Sequence, residues 1–438
     1  MKKYVLMLGI SAVAAGCASV ATGPQAIDWN KVPVTKVTAF YPGQSSYQWL
    51  RSDAHKGASK EVTRGDSCTS CHDDPTEEAT QGAKILGAKH PLEPHGAELK
   101  GKNGHIDMTV QAAYDDKHAY LRFQWQTNNK NHPGNDYPGY RFDGKEWKSF
   151  GGMRLDKNVL AGKTPLVYEN RLSVMLDDGK VPGFANQGCW LTCHDGEREM
   201  PKELSKAEVE ANALMKAIKK SDVRKYVPAS RTDPMDWRTG KTVEEVAKLK
   251  ADGQFLDLMQ WRAHRSANVN GSDDGFVLEY RNTDKGTNYY ASNMDSKTKQ
   301  PKFMFDPAKF GGKSFAAGDY GKKEMILVKG VNAVPFDPNA GWKEGDILPQ
   351  YVLTGAEAAG SVADNKAYSS WKSGVQTVIL MRPLSLPHDD DKALKVGGVY
   401  NVGFAVHDDN MTGRGHHVTY VKTLGIGAKA DIQAVKLN

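Results

Sequence analysis

Cysteine is scarce in this 438-residue chain: Cys17, Cys68, Cys71, Cys189 and Cys193 are all there is. So few thiols exclude a small disulfide-stapled scaffold, and the length allows one large domain or two to three modest ones. No block of like charge stands out in a formal net charge of +6, which leaves no case for nucleic acid. Beyond the first fifteen residues, no stretch approaches the ~20 apolar residues of a membrane span. Gly311-Gly312-Lys313-Ser314 resembles the tail of a phosphate loop but lacks the upstream glycine at the required spacing, so it reads as a turn. No Ser-His-Asp order or paired carboxylate cluster rises above background. Asp273-Asp274 and Asp389-Asp390-Asp391 could bind Ca²⁺ or face a partner, but no regular oxygen-ligand pattern follows them and ordinary turns account for both. Glycine (43), tyrosine (17) and tryptophan (9) are plentiful, which suits a loop-rich β protein.

The cysteines that are present carry the chemistry. Cys68-Thr69-Ser70-Cys71-His72 has the spacing at which a c-type haem is attached. Both thiols must reach the vinyl groups on one edge of a porphyrin, and the next residue turns its imidazole under the ring to bind iron. A zinc knuckle would need a second ligand pair at similar spacing; a thioredoxin-type dithiol would not need His72. Cys189-Trp190-Leu191-Thr192-Cys193-His194 follows the same logic with one more residue between the thiols. A second covalent haem, with His194 on its iron, is the expectation there, and a disulfide is the alternative.

The start reads as an export signal: Lys2 and Lys3, an apolar run from Tyr4 to Ala15, then Ala14-Ala15-Gly16-Cys17. Small residues before a cysteine are the pattern of a bacterial lipoprotein, so residues 1–16 are expected to be removed and Cys17 to carry lipid. An ordinary signal peptide cut nearby is the alternative. Ala18, rather than aspartate, after Cys17 points to the outer membrane. The other four cysteines form two close pairs, which leaves no thiol over in the oxidising periplasm.

Residues 17–48, with Pro24, Pro33, Pro42 and Gly43, read as a tether, and 49–104 as a small haem c segment with little core of its own. Within it, Trp49 to Lys60 and Glu77 to Leu86 suit short helices, and His90-Pro91-Leu92-Glu93-Pro94-His95 is extended. From 105 to 438 the period becomes two. His105 to Val110 and Ala119 to Trp125 flank the turn Tyr114-Asp115-Asp116-Lys117 and make a hairpin. Further strands are expected at Arg171–Leu176, Gly275–Asn282, Glu324–Lys329, Gln376–Arg382, Val399–Val406 and Val418–Thr423. The class is mainly β, a β-sandwich with a helical insertion at about 201–250 (Lys202 to Lys220, Val243 to Leu249) and long loops over 283–345.

Several stretches in one order carry a resemblance: Val110 to Asp115 with Tyr120 to Trp125, Glu169 to Leu172, Leu256 to Ala263, Gln376 to Leu384 and Tyr400 to Asp408. Together they resemble the haem-binding subunit of ethylbenzene and dimethyl sulfide dehydrogenases over roughly three quarters of the chain. The resemblance implies a β-sandwich that holds one b haem between a methionine and a lysine. Here Cys189 to His194 stands where the methionine segment would fall, and Arg414-Gly415-His416-His417-Val418 where the lysine would. His194 is thus expected as proximal ligand and His416 as distal, with His417 as the alternative axial ligand; if the segment is a strand, His417 points to the opposite face. A closer likeness is to exported c-type cytochromes of this fold with a haem-binding extension ahead of the sandwich. For the first haem, His55 is favoured as distal ligand, then His90; His95, His105 and Met108 lie near in sequence. His264 and His407 receive no role.

Iron closed on both sides by side chains moves electrons instead of activating substrate. The expectation is a periplasmic, lipid-anchored dihaem cytochrome exchanging single electrons with a molybdoenzyme, a membrane cytochrome or a soluble one. A five-coordinate haem reducing a nitrogen oxide or peroxide is one alternative; a haem-containing sensor or binding module is the other.

Overall fold

The computed structural model describes residues 23–74, 76–87, 99–127, 138–151, 157–200, 202–316, 325–411 and 415–437. Cys17, with the export signal, and His90, His95 and Arg414 lie outside them.

Twelve strands form one sheet: β1 Thr35–Phe40, β2 His105–Tyr114, β3 His118–Gln126, β4 Arg171–Asp177, β5 Leu256–Arg262, β6 Phe276–Val277, β7 Lys366–Lys372, β8 Val375–Pro383, β9 Val399–His407, β10 His417–Val418, β11 Lys422–Ile426 and β12 Ile432–Lys436. The pairing order is β7-β8-β3-β2-β1-β10-β9-β4-β5-β6, antiparallel throughout. β12 pairs in parallel with β2 and β11, and β11 pairs with β9. The sheet curls until its halves face each other. Phe123 on β3 meets Phe404 on β9 with ring centres 5.1 Å apart, though the two strands are separated in the pairing order, and Trp125 on β3 lies 6.3 Å from Trp261 on β5. A residue bridge between Gly271, just after β5, and Lys366 of β7 brings the two ends of the sheet together. The core fills the fold between them, with Val110, Phe123, Leu172, Trp261, Val378 and Phe404 at most 1% exposed.

The expectation of a mainly β chain holds, and the expected hairpin is β2–β3. Its turn is set by Asp115, whose Oδ1 accepts from the Lys117 and His118 amides at 2.7 Å. Three expectations are corrected. Residues 35–40 are not tether: Val37, Ala39 and Phe40 are buried in β1, which pairs along its whole length with β2. The prolines either side hid a six-residue strand. Gly275–Asn282 shrinks to the two-residue β6, because Asn282 folds back and donates its amide to the Phe276 carbonyl. The described part of Glu324–Lys329 contains no strand, only isolated bridges at Val328 and Lys329. The helical insertion is present as Lys206–Ala211, Ala213–Ala217 and Val243–Ala251, the first and last opened by capping boxes, Ser205 with Glu208 and Thr242 with Glu245.

Three short helices cover one side of the sheet: α1 Tyr47–Leu50, α2 Ser59–Arg64 and α3 Glu77–Leu86. The span expected as one helix, Trp49 to Lys60, is broken by turns between α1 and α2. α3 buries Ile85 and Leu86 against Tyr41 and Met411. It approaches the strand entry so closely that a Cβ at Gly82 would sit 1.9 Å from the Gly104 carbonyl oxygen. Gly82→Ala is therefore expected to push α3 outward and destabilise the protein by about 1–3 kcal/mol. Urea denaturation of the two proteins checks this, and an unchanged midpoint would mean that the contact yields without cost.

Candidate functional site

Cys68–Ser70 is a single 3-10 turn whose carbonyl at Cys68 accepts from the amides of Cys71, at 3.3 Å, and His72, at 3.0 Å. Cys71 keeps right-handed helical angles, so His72 stays on the turn. Both thiols and His72 thereby face one pocket of about 930 Å³, open to solvent and walled by Phe40, Trp49, Ile85, Trp190 and Tyr420. Burial pushes the Cys68 thiol up to about 11; Cys71 is exposed, and neither is in a disulfide.

His55 enters the same pocket from the turns between α1 and α2. Its Nδ1 lies 3.0 Å from the Leu50 carbonyl oxygen, and its ring packs on Trp49 at 5.1 Å. The Nδ1 of His72 lies 3.0 Å from Glu77 Oε1, in the first turn of α3. Burial opposes ionisation of Glu77, but Gln81 and His72 together hold it below the usual carboxylate range. His55 is thus oriented through Nδ1, as metal-binding histidines are, with Nε2 left for another partner, and the Glu77 carboxylate sits beside the Nδ1 of His72. The two rings are parallel within 5° and their centres are 6.3 Å apart. Two imidazole nitrogens binding one metal from opposite sides, each at about 2.0–2.1 Å and each roughly 1 Å from its ring centre, set those centres about 6 Å apart. Two thiols, an apolar wall and opposed imidazoles fit a covalently held haem. His105 and Met108 do not line this pocket; Met108 is in the core.

The second cysteine pair sits where helix Phe184–Gln187 runs into the 3-10 turn Gly188–Thr192. That helix is clamped to α2. Asn186 Nδ2 donates to the Gly65 carbonyl and Gln187 Nε2 to the Val62 carbonyl, both at 2.8 Å. Cys189 and Cys193 are buried free thiols, so the disulfide alternative is not what the structure contains. Burial pushes the Cys189 thiol up to about 12, and Cys193 Sγ lies 2.8 Å from Lys225 Nζ. Cys189 faces a pocket of about 1420 Å³ shared with His407 and His416, whose ring centres are 5.1 Å apart. Arg171, Arg262, Arg265 and Arg281 line it as well. Glu169 pairs with Arg171 and Arg265, and Asp273 with Arg262. Arg281 leans on the neutral Gln260. Burial, with Arg262 and Arg171 nearby, pulls the Arg281 guanidinium down to about 9. A buried surplus of positive charge suits a ligand with carboxylates, which haem propionates supply.

His194 is not brought to this pocket, which corrects the expectation that it shares it with His416. It is wholly buried elsewhere. Its Nε2 lies 3.0 Å from the Tyr226 carbonyl oxygen, its Nδ1 3.4 Å from Gln48 Nε2, and its ring stacks on Tyr226 at 3.6 Å. Burial holds its charged form well below the ordinary histidine range. Cys193 leaves the turn with extended angles, where Cys71 stays helical, so the next imidazole is carried away instead of under. His407 carries no signal of its own in the sequence; the antiparallel register of β9 with β10, Val406 opposite His417, places it beside His416. His417 points to the other face, as alternation requires. There its Nε2 lies 2.8 Å from the Asn103 carbonyl oxygen, and burial pulls it down to about 4.

The two pockets share a wall. Cys189 faces the second and Trp190 the first. Trp190 Nε1 donates to Ser45 Oγ at 2.8 Å, with Phe40 and Tyr420 5.5 and 5.4 Å from its ring centre.

The sequence pattern of the ethylbenzene dehydrogenase family matches residues 26–419. The chain belongs to that family. The match begins ahead of β1, so the family's domain includes the strand that the prolines concealed. Cytochrome c-552 of Stutzerimonas stutzeri is 24% identical over 439 aligned positions that cover 100% of both chains. Cytochrome c-551 of Rhodocyclus tenuis is 27% identical over 216 residues, 49% of this chain and 68% of that one. No helix among the described residues is long and apolar enough to cross a membrane.

Proposed function

We propose that this chain is a c-type cytochrome that carries two haems and passes single electrons. The observation that carries the reading is the parallel pair His55 and His72, their ring centres 6.3 Å apart, in a pocket that bears Cys68 and Cys71. In this reading Cys68 and Cys71 hold the first porphyrin and the two imidazoles close its iron. The cofactor supplies the redox couple. The protein sets the ligands, lines the pocket with Phe40, Trp190 and Tyr420, and places the Glu77 carboxylate beside His72 Nδ1. Cys189 and Cys193 hold the second porphyrin, with His416 on the iron, and the arginines receive its carboxylates. The names of the two relatives, both cytochromes c, support the haem type. The leader and Cys17 support a periplasmic protein tethered by lipid to the outer membrane. Redox partners would be a molybdoenzyme, a membrane cytochrome or a soluble cytochrome.

The position of His194 favours a second reading for the second site: an iron held by His416 alone on the protein side would admit a small ligand, and the arginines would attract an anionic one. Intact mass with a pyridine haemochrome spectrum is expected to give two covalent porphyrins per chain, falling to one in Cys68→Ser/Cys71→Ser. A single porphyrin in the wild type would sink the dihaem reading. Carbon monoxide uptake by the reduced wild type separates the two forms of the second site: none for a closed iron, one equivalent for an open one.

A further inference from the structure

Two acidic stretches that read as separate turns in the sequence converge where the ends of the large sheet meet. Asp257 comes from β5, Asp274 and Asp284 from the loops either side of β6, and Asp391 from the segment after β8. Oxygens of Asp257, Asp274 and Asp391 all lie within 4.8 Å of one another. Two oxygens bound to one Ca²⁺, each at about 2.3–2.6 Å, can be no farther apart than about that.

What distinguishes this cluster from a solvated acidic patch is its burial and its unmet valence. Asp257, Asp274 and Asp284 are 0, 3 and 5% exposed, and the Asp391 side chain 1%. Neither carboxylate oxygen of Asp284 has a hydrogen-bond partner, and Oδ1 of Asp257, Oδ1 of Asp391 and Oδ1 of the buried Asn365 have none either. Asp284 faces the group: Asp390, Asp257 and Asp391 all act on its charge. The partners that do exist are few. Arg382 reaches Asp257, and lies 3.6 Å from Asp391. The Lys392 amide donates to Asp257 Oδ2 at 2.9 Å, Asn365 Nδ2 and the Gly275 amide donate to Asp274, and Ser361 Oγ lies 2.8 Å from Asp390 Oδ1 and 3.3 Å from Asp391 Oδ2. Lys392 turns its ammonium to Asp178 instead. One guanidinium cannot compensate so many buried carboxylates, and unpaired buried charge is among the costliest features a fold can carry.

We propose that Asp257, Asp274 and Asp391 bind a hard divalent cation, calcium by preference, that clasps the two ends of the sheet. Oxygen-only ligands from three separate segments suit the larger, more flexible coordination of Ca²⁺ over the tight octahedron of Mg²⁺. The site is independent of the haem reading.

The test uses the full-length purified protein at pH 8. Elemental analysis after chelator-free desalting is expected to find one Ca²⁺ per chain. Excess EGTA should lower the melting temperature by a few degrees, and 1 mM Ca²⁺ should restore it. Asp391→Asn should weaken the Ca²⁺ midpoint by about tenfold or more, since it removes a charged ligand. If that variant does not fold, the wild-type titration decides alone. No retained metal together with equal melting in Ca²⁺ and EGTA overturns the proposal. An unchanged midpoint in Asp391→Asn also overturns it, and an equal response to Mg²⁺ overturns the choice of calcium.

Discussion

His55→Gly is expected to bind one more carbon monoxide per chain than the wild type when reduced with dithionite. The first pocket contains two imidazoles, and among its described lining residues no other histidine or methionine stands ready to replace His55. Glycine in a turn costs little backbone strain, and the loss is confined to the ring, its bond to the Leu50 carbonyl and its packing on Trp49. The iron would pass from six protein and porphyrin ligands to five, a change from an electron carrier to a site that takes a ligand. Added imidazole should restore the low-spin spectrum, which mere unfolding would not allow. Unchanged carbon monoxide uptake would remove His55 from the iron and turn attention to His90.

The second large effect concerns Glu169, which sits at the start of β4 beneath the arginines of the second pocket. It is 4% exposed and pairs with Arg265 and Arg171; its Oε2 also accepts from the His264 amide at 3.0 Å. Burial alone would raise its pKa, but Arg265, Arg171 and Arg262 overcome burial and hold it at about 2. A depressed carboxylate stabilises the fold above the unfolded value of about 4.3 and loses that stabilisation as pH falls towards about 2. Glu169→Gln is expected to cost about 3 kcal/mol at pH 7, since a drop of this size is worth about that much and breaking a buried pair costs about 3–5 kcal/mol. The variant should also lose the part of its acid dependence that lies between about pH 4.5 and 2. Urea denaturation at pH 7 and pH 3 measures both. Equal losses at the two pH values would show that the arginines find other counter-charges.

How far the sequence reached depended on the range of the interactions involved. The 3-10 turn at Cys68 is local, so five residues revealed it, and α3 was visible end to end in Glu77 to Leu86. The hairpin of β2 and β3 was legible because alternation and an Asx turn are short-range signals. β1 is hidden because its strand partners lie at least 65 residues away in sequence, Phe40 standing opposite His105. β12 is hidden because it joins both of its neighbours, β2 and β11, in parallel and so has no hairpin turn to announce it. At the second site the thiols were found but the histidine geometry was not. Whether an imidazole leaves a turn helically or extended is decided by one backbone dihedral at Cys193, and no spacing rule encodes that. Nor could spacing show that Asp257 and Asp391, far apart in the chain, share one buried niche.

The partition formed by Cys189 and Trp190 has a kinetic meaning. Neighbouring residues of one turn look into separate chambers, so the gap between anything held in them is fixed by covalent bonds and not by diffusion. Passage from one chamber to the other should then ignore ionic strength and viscosity, while exchange with outside proteins responds to both. A partner would need to touch only one end of the molecule to reach what lies at the far side.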